Sequence, residues 1–135
     1  MAKKSSDSKQ KITKKYIDLF YMTPSELSAK EIAVLIQENN GVHTQVWEEM
    51  NVLEIELSGD SSIDFEPVEP DFKDPSDAAF IKNRNIKTIF AITICEDDIT
   101  DTVPYFNQLV ERYSGFVCSD SIDFNPVYAG TTAKA

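Results

Sequence analysis

The chain has 135 residues, 41% of them hydrophobic, with a net charge of −10. That length suits one domain able to bury a core without disulfides or metals. No run approaches the ~18 apolar residues that span a bilayer, and the basic N-terminus has no apolar run after it, which argues against a secretory signal.

The charge is unevenly distributed. Residues 1–15 hold six lysines and one aspartate, a net of +5, so residues 16–135 carry −15. Such a body repels nucleic acid and anionic membranes and attracts basic surfaces. The lysine- and serine-rich residues 1–15 are expected to be disordered, or to fold back on the acidic body. Cys95 and Cys118 lie in apolar runs and read as buried reduced thiols, with a disulfide open only if their strands pair. A cytoplasmic location follows as the expectation.

From Lys15 to Met22 the sequence favours a strand, interrupted only by Asp18. Thr23-Pro24-Ser25-Glu26 and Ser28-Ala29-Lys30-Glu31 both offer a capping box for the helix that follows. Ala29, Ile32, Leu35 and Ile36 share one face of that helix, and Gly41 is placed for a left-handed cap. Val42–Glu49 reads as a strand, Met50-Asn51 as a turn, and Val52–Leu57 as a half-buried strand with Glu54 and Glu56 facing water.

The next stretch, Ser62-Ile63-Asp64-Phe65-Glu66-Pro67-Val68, returns as Ser121-Ile122-Asp123-Phe124-Asn125-Pro126-Val127, with six of seven residues identical. Both copies are expected to be closing strands, with Ile and Phe in the core and Asp outward. Residues 66–77, with three prolines and five acids, read as a surface connection. Residues 78–85 are ambiguous between loop and a helical turn. Ile86–Cys95, nearly all apolar, is expected to be central and buried on both faces. Glu96–Asp101 suits a helix start, with Pro104 in the first turn and Val103, Phe106, Leu109, Val110 and Tyr113 as the apolar face. Ser114-Gly115 ends that helix, and Phe116–Cys118 begins a last strand. The tail from Ala129 is small and polar, and residues 131–135 are expected to fray.

A shift of 74 residues superposes the two helices without a gap: Ser28 falls on Thr102, Ile32 on Phe106 and Gly41 on Gly115. The heptapeptides are 59 apart, so the first unit holds 15 extra residues. Two repeats, 16–68 and 86–127, imply a single α+β domain over 16–130. The expected fold is a ferredoxin-like sandwich of two tandem βαβ units, with two helices on one face of an antiparallel sheet and an extra strand or hairpin in the first unit.

No sequence signature names a reaction. The four glycines form neither a GxGxxG nor a Walker loop. His43 is the only histidine and has no nucleophile motif around it. The acids around Asp64 and Asp123 lack the glycine and spacing of a calcium loop, so neither metal nor cofactor is expected. In size, acidity and exposed edge strands the chain resembles, in general character, immunity proteins, antitoxins and inhibitors that cap a basic toxin or nuclease. The resemblance implies a non-enzymatic protein-binding module with a basic partner, as monomer or homodimer. Its expected contacts are Asp64 and Asp123, Glu66, Asp71 and Asp74 in the acidic connection, Asp97, Asp98 and Asp101 at the second helix start, and the aromatics Trp47 and Tyr128. The alternative is a regulatory domain that binds a small ligand or metal between the repeats.

Overall fold

The computed structural model describes residues 15–133. The basic segment, apart from Lys15, and the last two residues lie outside the described residues. Within them the order is β1 (Tyr16–Thr23), α1 (Ala29–Asn40), β2 (Thr44–Trp47), β3 (Val52–Glu56), β4 (Ser62–Val68), α2 (Pro75–Asn83), β5 (Thr88–Cys95), a 3-10 turn (Glu96–Asp98), α3 (Ile99–Tyr113), β6 (Phe116–Ser119) and β7 (Val127–Gly130). The fold is α+β. Its strands form one sheet in the order β2-β3-β4-β5-β1-β6-β7, every neighbour antiparallel.

Alternation along each strand separates two apolar layers. Leu19 and Tyr21 of β1 point to one face, with Ile63 and Phe65 of β4 and Phe90 and Ile92 of β5. There they meet Ile32 and Ile36 of α1 and Phe106 and Leu109 of α3. Burial pushes the Tyr21 phenol up, and its hydroxyl donates to the carbonyls of Ser114 (2.8 Å) and Leu109 (3.3 Å). Phe20 and Met22 point to the other face and meet Ile81 of α2, with Phe72, Phe80, Phe116 and Phe124 completing an aromatic cluster.

Helix α1 uses the second of the two capping boxes. Ser28 Oγ accepts the Glu31 N–H, and the Glu31 carboxylate accepts the Ser28 N–H. Gly41 closes it at φ 66°, its N–H donating to Gln37 O at 2.8 Å. Asn51, in the β2–β3 turn, adds a cap of its own: its Oδ1 accepts the Ala29 N–H at 2.7 Å. Gly115 is required by close approach, because a Cβ there would sit 2.0 Å from the Met22 carbonyl oxygen.

Several expectations are corrected. The second helix begins at Ile99, ahead of its counterpart in the 74-residue superposition, so Thr102 is not a cap. It is buried inside α3, its hydroxyl donating to Ile99 O. Pro104 is the sixth helical residue, not a first-turn residue, and leaves one carbonyl without its intrahelical donor. The extra strand or hairpin expected in the first unit is present as the β2–β3 hairpin, which widens the sheet beyond β4. Residues 75–83 form a full helix, because Asp74 caps it with Oδ1 on the N–H groups of Ser76 and Asp77 and Pro75 stands at its start. Ala129 lies in β7, which pairs with β6. Strand β1 separates β5 from β6, and Cys95 pairs with Tyr16 while Cys118 pairs with Phe20, so the two cysteines stand two strands across and four residues along from each other, about 16 Å. That is beyond disulfide reach, and both are buried free thiols.

The largest correction concerns the second heptapeptide. The first copy is β4, with Ile63 and Phe65 buried. The second is a loop between β6 and β7, and only Val127 belongs to a strand. Ile122 is 98% exposed, while Phe124 is buried in the aromatic cluster at φ 57°. Ser121 Oγ and Asp123 Oδ1 both accept the Asn125 N–H, and Ser121 Oγ donates to Asn125 O. These local bonds replace the ladder.

Candidate interface on the open face of the sheet

Helix α2 and the aromatic cluster cover only part of the second face. Where β3 and β4 meet the outer ends of β5 and β1, no described helix packs. The register there sets one acidic row across the strands. Gln45 of β2 pairs with Glu54 of β3, Glu54 with Asp64 of β4, Asp64 with Thr93 of β5, and Thr93 with Asp18 of β1. Directly paired residues of antiparallel strands share a face. Beyond β6, Asp120 joins the row through its N–H, which donates to Asp18 O at 3.1 Å. Glu56 and Glu66 lie on the same face, two residues from Glu54 and Asp64. At its margins are Trp47, two residues from Gln45, and Tyr16, two from Asp18, at 38% and 58% exposure.

The electrostatics follow from this crowding. Partial burial raises the pKa of Asp64, and the Glu54 and Glu66 carboxylates raise it further. Asp120 is raised by burial first, then by Asp18 and by Asp77 of α2. Like charges directly opposed across strands are destabilising, by roughly 0.2–1 kcal/mol a pair. Among the described residues, the ion pairs are Lys15–Glu96, Lys30–Glu48 and His43–Glu56. Only the last touches the row's surroundings, at 3.5 Å and with both groups well exposed.

The residues singled out from sequence fall into separate places. Asp64 and Glu66 lie in or beside the row, and Trp47 at its margin. Asp123 is exposed in the β6–β7 loop and occupied with its own turn. Asp71 is exposed in the connection before α2, and Asp74 caps that helix. Asp97 is exposed in the 3-10 turn. Asp98 and Asp101 line a cavity of about 280 Å³ with Glu56, Val42, Leu57 and Tyr105, and Asp98 Oδ2 is buried there without a hydrogen-bond partner. Tyr128 packs against the main core.

Sequence reasoning missed Glu54, Asp18 and Thr93. Glu54 could be read as facing water, and Asp18 as a break in an apolar run. That they share one line depends on strand order and register, which local patterns do not contain.

Among the described residues, no group of three or more His, Cys, Asp and Glu side chains is arranged to hold a metal ion, and no helix is long and apolar enough to cross a membrane. The Cys118 thiol, pushed up to about 12 by burial and then by Asp120, is a poor nucleophile. What the row offers chemically is carboxylate oxygens at strand spacing, flanked by two aromatic rings, which suits lysine and arginine side chains. Comparison with family models, curated proteins and solved structures gave no match.

Proposed function

We propose that the chain is a non-enzymatic binding module that holds a basic protein on the open face of its sheet. The observation that carries this reading is Glu54 directly opposite Asp64 on an uncovered part of the sheet, with Asp18 in the same line. Opposed carboxylates cost stability, and a cationic partner turns that cost into binding energy. Trp47 and Tyr16 supply aromatic anchors at the margins. That the partner is basic follows from charge complementarity; that it is a toxin or nuclease is what the general resemblance to immunity proteins, antitoxins and inhibitors implies.

The same reading extends to the fold. The sub-order β4-β5-β1-β6, with α1 joining β1 to the β4 side and α3 joining β5 to β6, supports a ferredoxin-like core. The β2–β3 hairpin, α2 and β7 are additions to it.

The test uses a fluorescent oligolysine peptide as probe. Asp64→Asn and Glu54→Gln are each expected to weaken its binding about tenfold at low salt, with coupling between them, and affinity is expected to fall steeply as salt rises. Asp123→Asn is expected to leave affinity unchanged. Equal weakening by all three would contradict the site and leave only the overall charge.

A further inference from the structure

We infer that the lysine-rich segment of residues 1–14 docks across the acidic open face of the sheet and must be displaced by the basic partner. This rests on the reading of that face as a basic-partner site.

Charge, point of departure and length each name this occupant. Residues 1–14 hold five lysines against one aspartate, while the face presents Asp18, Glu54, Asp64, Glu66 and Asp120. The segment joins the sheet at Lys15, just before β1, where the Lys15 carbonyl accepts the Glu96 N–H at 2.8 Å. Asp18, the acid that β1 contributes to the row, is three residues further on. The segment therefore starts beside the row.

Fourteen extended residues reach about 45–50 Å. From β1 to β2 is four strand spacings, about 19 Å. The segment can cross the whole row with chain to spare. The groove between α1 and α3, lined by Lys30 and Arg112 as well as Glu31 and Glu38, offers no comparable charge match.

Tethering makes the contact effective. Individual exposed ion pairs are weak, but covalent attachment to the same chain supplies a millimolar local concentration. The docked segment screens the face against weakly basic proteins and yields to a partner with a denser array of cations.

The test keeps the full chain. A spin label on Ser6→Cys reports where the segment lies, since Cys95 and Cys118 are buried. The expected result is broadening of the amide signals of Glu54, Asp64 and Thr93, with Val34 and Glu38 of α1 left sharp. High salt should abolish it. Broadening that is absent from the sheet, or strongest on α1, overturns the inference.

In parallel, the chain with Lys3, Lys4, Lys9, Lys11 and Lys14 all changed to Gln is expected to bind oligolysine about tenfold tighter than the wild type. Equal affinities would overturn the competition while leaving the oligolysine site standing. If oligolysine binds neither chain, the basic-partner reading fails, and the spin label alone decides whether the segment docks.

Discussion

Two copies of one heptapeptide take two structures in this chain. Residues 62–68 form β4, paired on one side to β3 and on the other to β5. Residues 121–126 lie in the loop that joins β6 to β7 at the far end of the sheet, and only Val127 enters a strand. The residues that could pair are the same. What differs is whether neighbouring strands are there to accept the ladder. In β4 they are, and Ser62 and Asp64 stand out from an extended backbone. At the sheet edge, the same Ser and Asp hydrogen-bond the backbone of Asn125 instead. Only the phenylalanine is buried in both, in different cores. The duplicated aspartates consequently part company: Asp64 joins a row of acids, and Asp123 holds a turn.

The largest effect that sharpens this contrast is expected where the copies agree. Phe65→Ala and Phe124→Ala each empty a buried aromatic site and should each cost about 3–5 kcal/mol in urea unfolding. The isoleucines should split. Ile63→Ala is expected to cost about 2–5 kcal/mol, while Ile122→Ala, at a fully exposed position, should stay within about 0.5 kcal/mol. Comparable losses at both would show that residues 121–127 are packed as a strand in solution.

A smaller, pH-dependent split is expected for the aspartates. The pKa of Asp64 is raised in the folded chain, so the folded state holds the proton more tightly than the unfolded one. Protonated Asp64 therefore contributes stability below the unfolded carboxylate range, near pH 4, and that contribution is lost as pH rises through the raised folded value. Asp64→Asn removes the penalty of the ionised form. It should stabilise the chain at pH 7 by a few tenths of a kcal/mol, about what a solvent-screened pair allows, and the gain should shrink as pH falls toward 4. A gain that grows on acidification would contradict the crowding of Glu54 and Glu66 around Asp64.

Much of the architecture is legible in the sequence because its signals are local. Periodicity marks α1 and α3, Ser28 and Glu31 fix one helix start, Gly41 one helix end, and the apolar run through Ile92 marks the central strand. The 15 extra residues predict an added strand or a hairpin, and the hairpin is what forms. Helix α2 is faint, because its apolar face is short and Asp74 caps it from within a proline-rich stretch. Strand β7 is hidden behind small polar residues. The start of α3 falls within Glu96–Asp101, where the acids mark it, but the shift of 74 residues misplaces Thr102 as a cap and Pro104 as a first-turn residue, because the 3-10 turn and Ile99 carry the helix further back. The row from Glu54 to Asp18 is not legible at all. Its members, from Asp18 to Thr93 in sequence, lie on four strands, and only the order β3-β4-β5-β1 brings them into line.

The central claim is that this row, not acidity in general, is the binding surface. Titrating the isotope-labelled full chain with oligolysine and following its amide signals tests it most directly. The account predicts shifts concentrated at Asp18, Glu54, Asp64 and Thr93, with Asp123, Asp71 and Val34 unmoved. Shifts spread over all the acidic segments, or centred on the connection before α2, would contradict it.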